Sequence, residues 1–86
     1  MKAKLQLVKR KIAGDTILVP VGSASLKLNG LISLNEVGEF IWDKLEAAAD
    51  EAEMTDLVTQ EYEVARETAQ SDVREFMDRL RELEII

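Results

Sequence analysis

Between Gly30 and Leu45 the chain changes its period within a single residue. Leu31-Ile32-Ser33-Leu34 is a short apolar run with strand propensity. Asn35 follows, and its side-chain oxygen suits the N-cap of a helix. Val37, Phe40, Ile41 and Leu45 then recur at helical spacing, with the chain's one tryptophan, Trp42, alongside. A strand that passes to a helix without a linker leaves few arrangements open. The helix must start at the strand's end and bury its apolar stripe against the same sheet. Gly38, in the first turn, costs about 1 kcal/mol of helix propensity against Ala. It reads either as room for another backbone or as a tolerated glycine near a helix end.

The sequence on either side supplies the partners. Residues 4–13 alternate imperfectly, with Leu5, Leu7, Val8 and Ile12 among lysines and Gln6. Gly14-Asp15 is a turn signal, and Thr16-Ile17-Leu18-Val19-Pro20-Val21 has strong β-propensity. This predicts a hairpin whose second strand ends near Pro20, which has no amide to donate. Residues 22–29 read as loop, with Leu26 and Leu28 expected to cap the core and Asn29-Gly30 as a tight turn. After a break at 47–50, Asp50 and Glu53 have the spacing of a capping box. Met54, Leu57, Val58 and Tyr62 form the inner face of a second helix. A third runs from about Arg66 to Glu84 with the stripe Ala69, Val73, Phe76, Met77, Leu80 and Leu83. Ile85 and Ile86 are expected to tuck against the body. The expected fold is therefore α+β: a three-stranded antiparallel sheet followed by three helices, like a winged helix-turn-helix, in one domain over residues 1–86.

Composition removes most chemistry. The 86 residues include neither Cys nor His, so thiol nucleophiles, imidazole bases and the usual zinc ligands are absent. Ser23, Ser25, Ser33 and Ser71 lack an activating base of the usual kind, and four scattered glycines match no phosphate loop or dinucleotide fingerprint. Glu36, Glu39, Asp43 and Glu46 lie along one helix face but read as a solvated surface rather than a hard-cation site. We therefore expect no enzyme activity, no metal and no cofactor. No apolar run reaches the roughly 20 residues that cross a bilayer, and no signal-type apolar stretch follows the N-terminal lysines. The expected compartment is the cytoplasm, with no membrane contact.

Charge is unevenly spread. Residues 1–11 carry five basic groups and no acid, whereas residues 12–86 carry six basic and all 17 acidic groups. The first eleven residues read as a basic strand or arm, best explained as an edge strand whose lysines discourage aggregation. The third helix sets Arg66, Arg74, Arg79 and Arg81 against Glu67, Asp72, Glu75, Asp78, Glu82 and Glu84. A net-negative helix would be repelled by a duplex, so nucleic acid is not an expected partner. A winged-helix regulator working through protein or DNA contacts is the alternative reading.

The run Leu34-Asn35-Glu36-Val37-Gly38-Glu39-Phe40-Ile41-Trp42-Asp43-Lys44-Leu45 resembles the strand-to-helix signature LNxxGxxIWxxL of the coenzyme PQQ synthesis protein D family, the small peptide chaperones also called RiPP recognition elements. Tyr62-Glu63-Val64, Asp72-Val73, Phe76, Leu80 and Leu83 continue the likeness, which spans about residues 12–86. Two features depart from it: Glu84 stands where family members commonly carry Gly, and the 22–29 loop is longer than in compact members. The resemblance implies a cofactor-free chaperone that captures the leader of a ribosomally made precursor peptide and delivers it to a modifying enzyme, typically a radical SAM maturase of the SPASM type.

The family's mode is addition of the leader as a strand beside the third strand, with side chains entering a groove against the third helix. The matching positions are Leu31, Ile32, Ser33 and Leu34 on the strand and Val73, Phe76, Met77 and Leu80 on the helix. Strand residues alternate faces, so about half of these are expected to be core only. Ile32 is expected to present a main-chain donor at the edge, and Met77 is the favoured groove floor because a thioether adapts to varied side chains. Arg74 and Arg79 would steer an acidic leader. Trp42 reads as a core anchor. A homodimer, including a strand-exchanged one, is compatible with so small a core.

Overall fold

The computed structural model describes residues 1–28 and 30–86. The expected Asn29-Gly30 turn falls on Asn29, outside the described residues. The chain forms β1 (Leu7–Ile12), β2 (Asp15–Pro20), α1 (Ala24–Lys27), β3 (Ile32–Leu34), α2 (Glu36–Asp43), α3 (Glu51–Glu61) and α4 (Arg66–Glu82). The sheet is antiparallel in the order β1-β2-β3. This is the expected α+β arrangement, with one element added.

The addition is α1, a single turn within the segment read as loop. It puts Leu26 on the surface at 88% exposure, correcting the expectation that Leu26 caps the core; Leu28 does pack against the core. The hairpin turns at Ala13-Gly14 rather than Gly14-Asp15, with φ of 52° and 85° and Ile12 opposite Asp15. Two central residues with positive φ give the type I′ turn that matches the strands' right-handed twist. β2 ends at Pro20, as its missing amide predicts.

One face of the sheet packs against the helices, while Ile17 on the other face is also buried. Register places Leu7, Lys9 and Lys11 beside Pro20, Leu18 and Thr16, and these beside Ile32 and Leu34. Leu18 and Ile32 join Ile41, Met54, Val58, Ala69, Val73, Met77, Leu80 and Ile85 in a single buried cluster. Both expected caps are present: Asn35 accepts from Gly38 N–H at 2.7 Å and Asp50 from Glu53 N–H at 2.9 Å. α4 closes with the amide of Ile85 on the carbonyl of Leu80 and that of Glu84 on Arg81. This Schellman pattern needs a left-handed residue at its turn, usually Gly. Glu84 occupies it at φ 58°, which accounts for the glycine common among family members.

The N-terminal residues are not an arm. Leu5 lies in the core cluster, Lys4 donates its amide to Ile85, and Val21 donates to Gln6. Lys9 donates to Asp43 at 2.9 and 3.0 Å and approaches Glu39 at 3.5 Å, while Thr16 donates to Glu39 at 3.3 Å. The α2 carboxylates therefore clasp β1 instead of facing only solvent. Trp42 packs against the core but is half-buried, a side wall rather than an anchor.

Candidate peptide-binding cleft

β2 is paired on both sides, so β1 and β3 are the free edges. The direction of β3's main-chain groups follows from the hairpin. In a two-residue hairpin the flanking pair, here Ile12 and Asp15, exchanges both hydrogen bonds, and antiparallel pairs then alternate. Ile17 therefore turns its amide and carbonyl towards Arg10 in β1, and Thr16 and Leu18 turn theirs towards Leu34 and Ile32. It follows that Ile32 and Leu34 are spent on β2. The outward N–H and C=O belong to Ser33, which corrects the expectation that Ile32 carries the edge donor.

Beside that edge lies a cleft of about 190 Å³ lined by Ser33, Leu34, Asn35, Val37, Gly38, Ile41, Asp72, Glu75, Phe76 and Arg79. Ile41 is fully buried at its base, and Leu34, Val37 and Phe76 are half-buried. Gly38 has a role not foreseen. A Cβ there would stand 3.1 Å from the capping Oδ1 of Asn35 and 3.4 Å from the Phe76 ring. Glycine lets one side chain cap the helix while an aromatic ring lies over its first turn.

The expected site residues divide. Ser33, Leu34 and Phe76 line the cleft. Ile32, Val73, Met77 and Leu80 are core, buried to 5% exposure or less, so Met77 lies beneath the surface and not at a groove floor. Leu31, 59% exposed, precedes β3. Arg74 points to Glu51 at 4.0 Å on the opposite seam, where Arg81 also bonds to Glu51. Of the two arginines expected to steer a ligand, only Arg79 reaches the cleft. Asp72, Glu75 and Arg79 form a stripe one step around α4 from the apolar one, and apolar periodicity alone gives no sign of it. Asn35, Val37, Gly38 and Ile41 were visible as helix-start residues but not as cleft lining.

A second, wider depression of about 290 Å³ is lined by Ala3, Trp42, Asp43, Leu45 and Glu46. It borders no free strand edge, so it lacks main-chain donors and acceptors in a row, and the smaller cleft is the better binding candidate.

Among the described residues, no helix is long and apolar enough to cross a membrane. The family model for coenzyme PQQ synthesis protein D (PqqD) matches residues 15–86. No curated protein matches the chain. A solved structure, TbiB1 in complex with the TbiA(beta) leader peptide, superposes with a TM-score of 0.72 at 28% sequence identity, covering 99% of this chain and 93% of that one.

Proposed function

The chain belongs to the coenzyme PQQ synthesis protein D family, and from this premise we propose that it is a non-catalytic chaperone holding a precursor peptide's leader along β3. One observation carries the reading: the outward main-chain groups of Ser33 border a cleft with an apolar base and an aromatic wall. Strand addition satisfies those groups with little demand on sequence, and the cleft reads alternate side chains. That the similar TbiB1 is solved in complex with a leader peptide supports a leader peptide as the ligand here.

The captured leader is presented to a modifying enzyme, with a radical SAM maturase as the partner the family resemblance implies, in the cytoplasm. Self-association through β3 would occupy the same edge, so a homodimer formed there competes with the leader. The test is fluorescence polarisation of the labelled leader from a precursor peptide encoded beside this protein's gene. Saturable binding that is clearly weakened by replacing Ser33 with Pro supports the proposal. No binding, or binding indifferent to Ser33→Pro, would overturn it.

A further inference from the structure

The charges of α4 fall into two groups. Arg66 pairs with Asp56, Arg81 with Glu51 and Asp78, and Arg74 approaches Glu51. These ties run to α3 or stay within α4. Among the described residues, none of the salt bridges within 4.0 Å engages Asp72, Glu75 or Arg79, the three charges that line the cleft. They stand beside an apolar base, and none is neutralised by a salt bridge within 4.0 Å.

Their spacing matches an extended chain. From Asp72 to Arg79 the helix rises about 10 Å, while same-side residues of a strand stand about 7 Å apart. The stripe therefore meets two successive inward side chains of an added strand. Asp72 stands about 6 Å along the helix from Phe76, close to that stride, so an apolar side chain level with Phe76 and the apolar lining of Leu34, Val37 and Ile41 would have its same-side neighbour level with Asp72. At that end of the cleft the two negative charges of Asp72 and Glu75, which precede Phe76 on the helix, outnumber Arg79, which follows it.

Building on the leader-binding reading above, we propose that this cleft selects a strand in which an apolar residue is separated by one position from a Lys or Arg. The basic side chain lies against Asp72 and Glu75. This reverses the acidic leader expected from Arg74 and Arg79, because Arg74 lies on the opposite seam.

The test is selection of short random peptides, displayed on yeast, against the intact immobilised protein, followed by synthesis of the enriched sequences. Enriched peptides should carry an apolar residue with Lys or Arg two positions away. Exchanging that cation for Gln should weaken binding about 5-fold at low salt, the upper range for an exposed ion pair, and by less at high salt. The double variant Asp72→Asn, Glu75→Gln should weaken the parent peptide by a similar factor and leave the Gln peptide unaffected, the non-additivity that marks direct coupling. Enrichment without the cation, or additive losses, would overturn the inference. Ser33→Pro separates the two layers. If it clearly weakens binding while no charge coupling exists, only the charge inference fails; if selected peptides bind it equally well, strand addition fails as well. A library that yields no binder counts against both.

Discussion

The two free edges of one small sheet have been built to opposite ends. β1 is six residues long, Lys-rich and tied down: Lys9 lies between Asp43 and Glu39, and Lys11 approaches Glu39 at 4.0 Å. β3 is three residues long and carries no charge, and it borders a cleft. Charged side chains on an edge oppose pairing with another chain. A short uncharged edge beside a pocket invites one, and its shortness limits unwanted self-pairing. On the proposed reading, the contrast teaches that an open edge becomes a binding site through what stands next to it, not through unpaired amides alone.

The contrast is most exposed to failure at its main-chain donors. The same alternation that turns Ser33 outward on β3 turns Lys11 outward on β1. Ser33→Pro should leave a bound peptide's carbonyl without its donor, a loss of about 1–3 kcal/mol, or roughly 5- to 150-fold in affinity. Lys11→Pro should leave affinity unchanged. Polarisation titrations on variants shown to be folded by circular dichroism make the comparison, and equal losses would break it.

Phe76→Ala removes the cleft's aromatic wall. Because the ring is only half-buried, stability should fall by about 1–2 kcal/mol, with a clear loss of peptide binding measured in the same titration. Glu84→Gly is the counter-test, far from either edge in its chemistry. Releasing a non-glycine residue from φ 58° should stabilise the fold by about 1 kcal/mol, read as a higher urea midpoint. Peptide affinity should not move. If it rose in step, general stability rather than edge geometry would be governing capture.

The smallest effect concerns the clasp on β1. The hydrogen bond to Asp43 raises Lys9 above its ordinary 10.5, aided by the charges of Asp43 and Glu39 against the opposing cost of burial. A raised folded-state value means that the contribution is present below pH 10.5 and is lost as pH climbs through the folded value. Lys9→Gln should therefore cost little, less still in salt, and should flatten any alkaline fall in stability measured by urea titration across that range.

Much of this architecture was legible. Asn35 and Asp50 announced their helices because a cap is a local bargain between one side chain and one free amide. Pro20 marked a strand end for an equally local reason. Glu84 was visible as a departure, and its left-handed backbone supplies the cause. The short α1 escaped because one turn shows no periodicity. The candidate site was only half legible. An apolar stripe identifies what a helix buries, so Val73, Met77 and Leu80 pointed to the core, while the cleft wall was the charged stripe beside them. Strand parity was lost for a different reason. Moving the turn by one residue, from Gly14-Asp15 to Ala13-Gly14, reverses which groups of every following pair face outward.

The most direct test of the two-edge account is amide hydrogen exchange, followed by NMR, on isotope-labelled protein with and without the leader peptide. In the free protein the Ser33 amide, facing outward, should exchange quickly, as should those of Lys9 and Lys11 on β1. On saturation the account predicts strong protection at Ser33, with shifts concentrated around residues 33–38 and 72–79, and no change at Lys9 or Lys11. Protection appearing at Lys9 and Lys11 while Ser33 continues to exchange freely would contradict it.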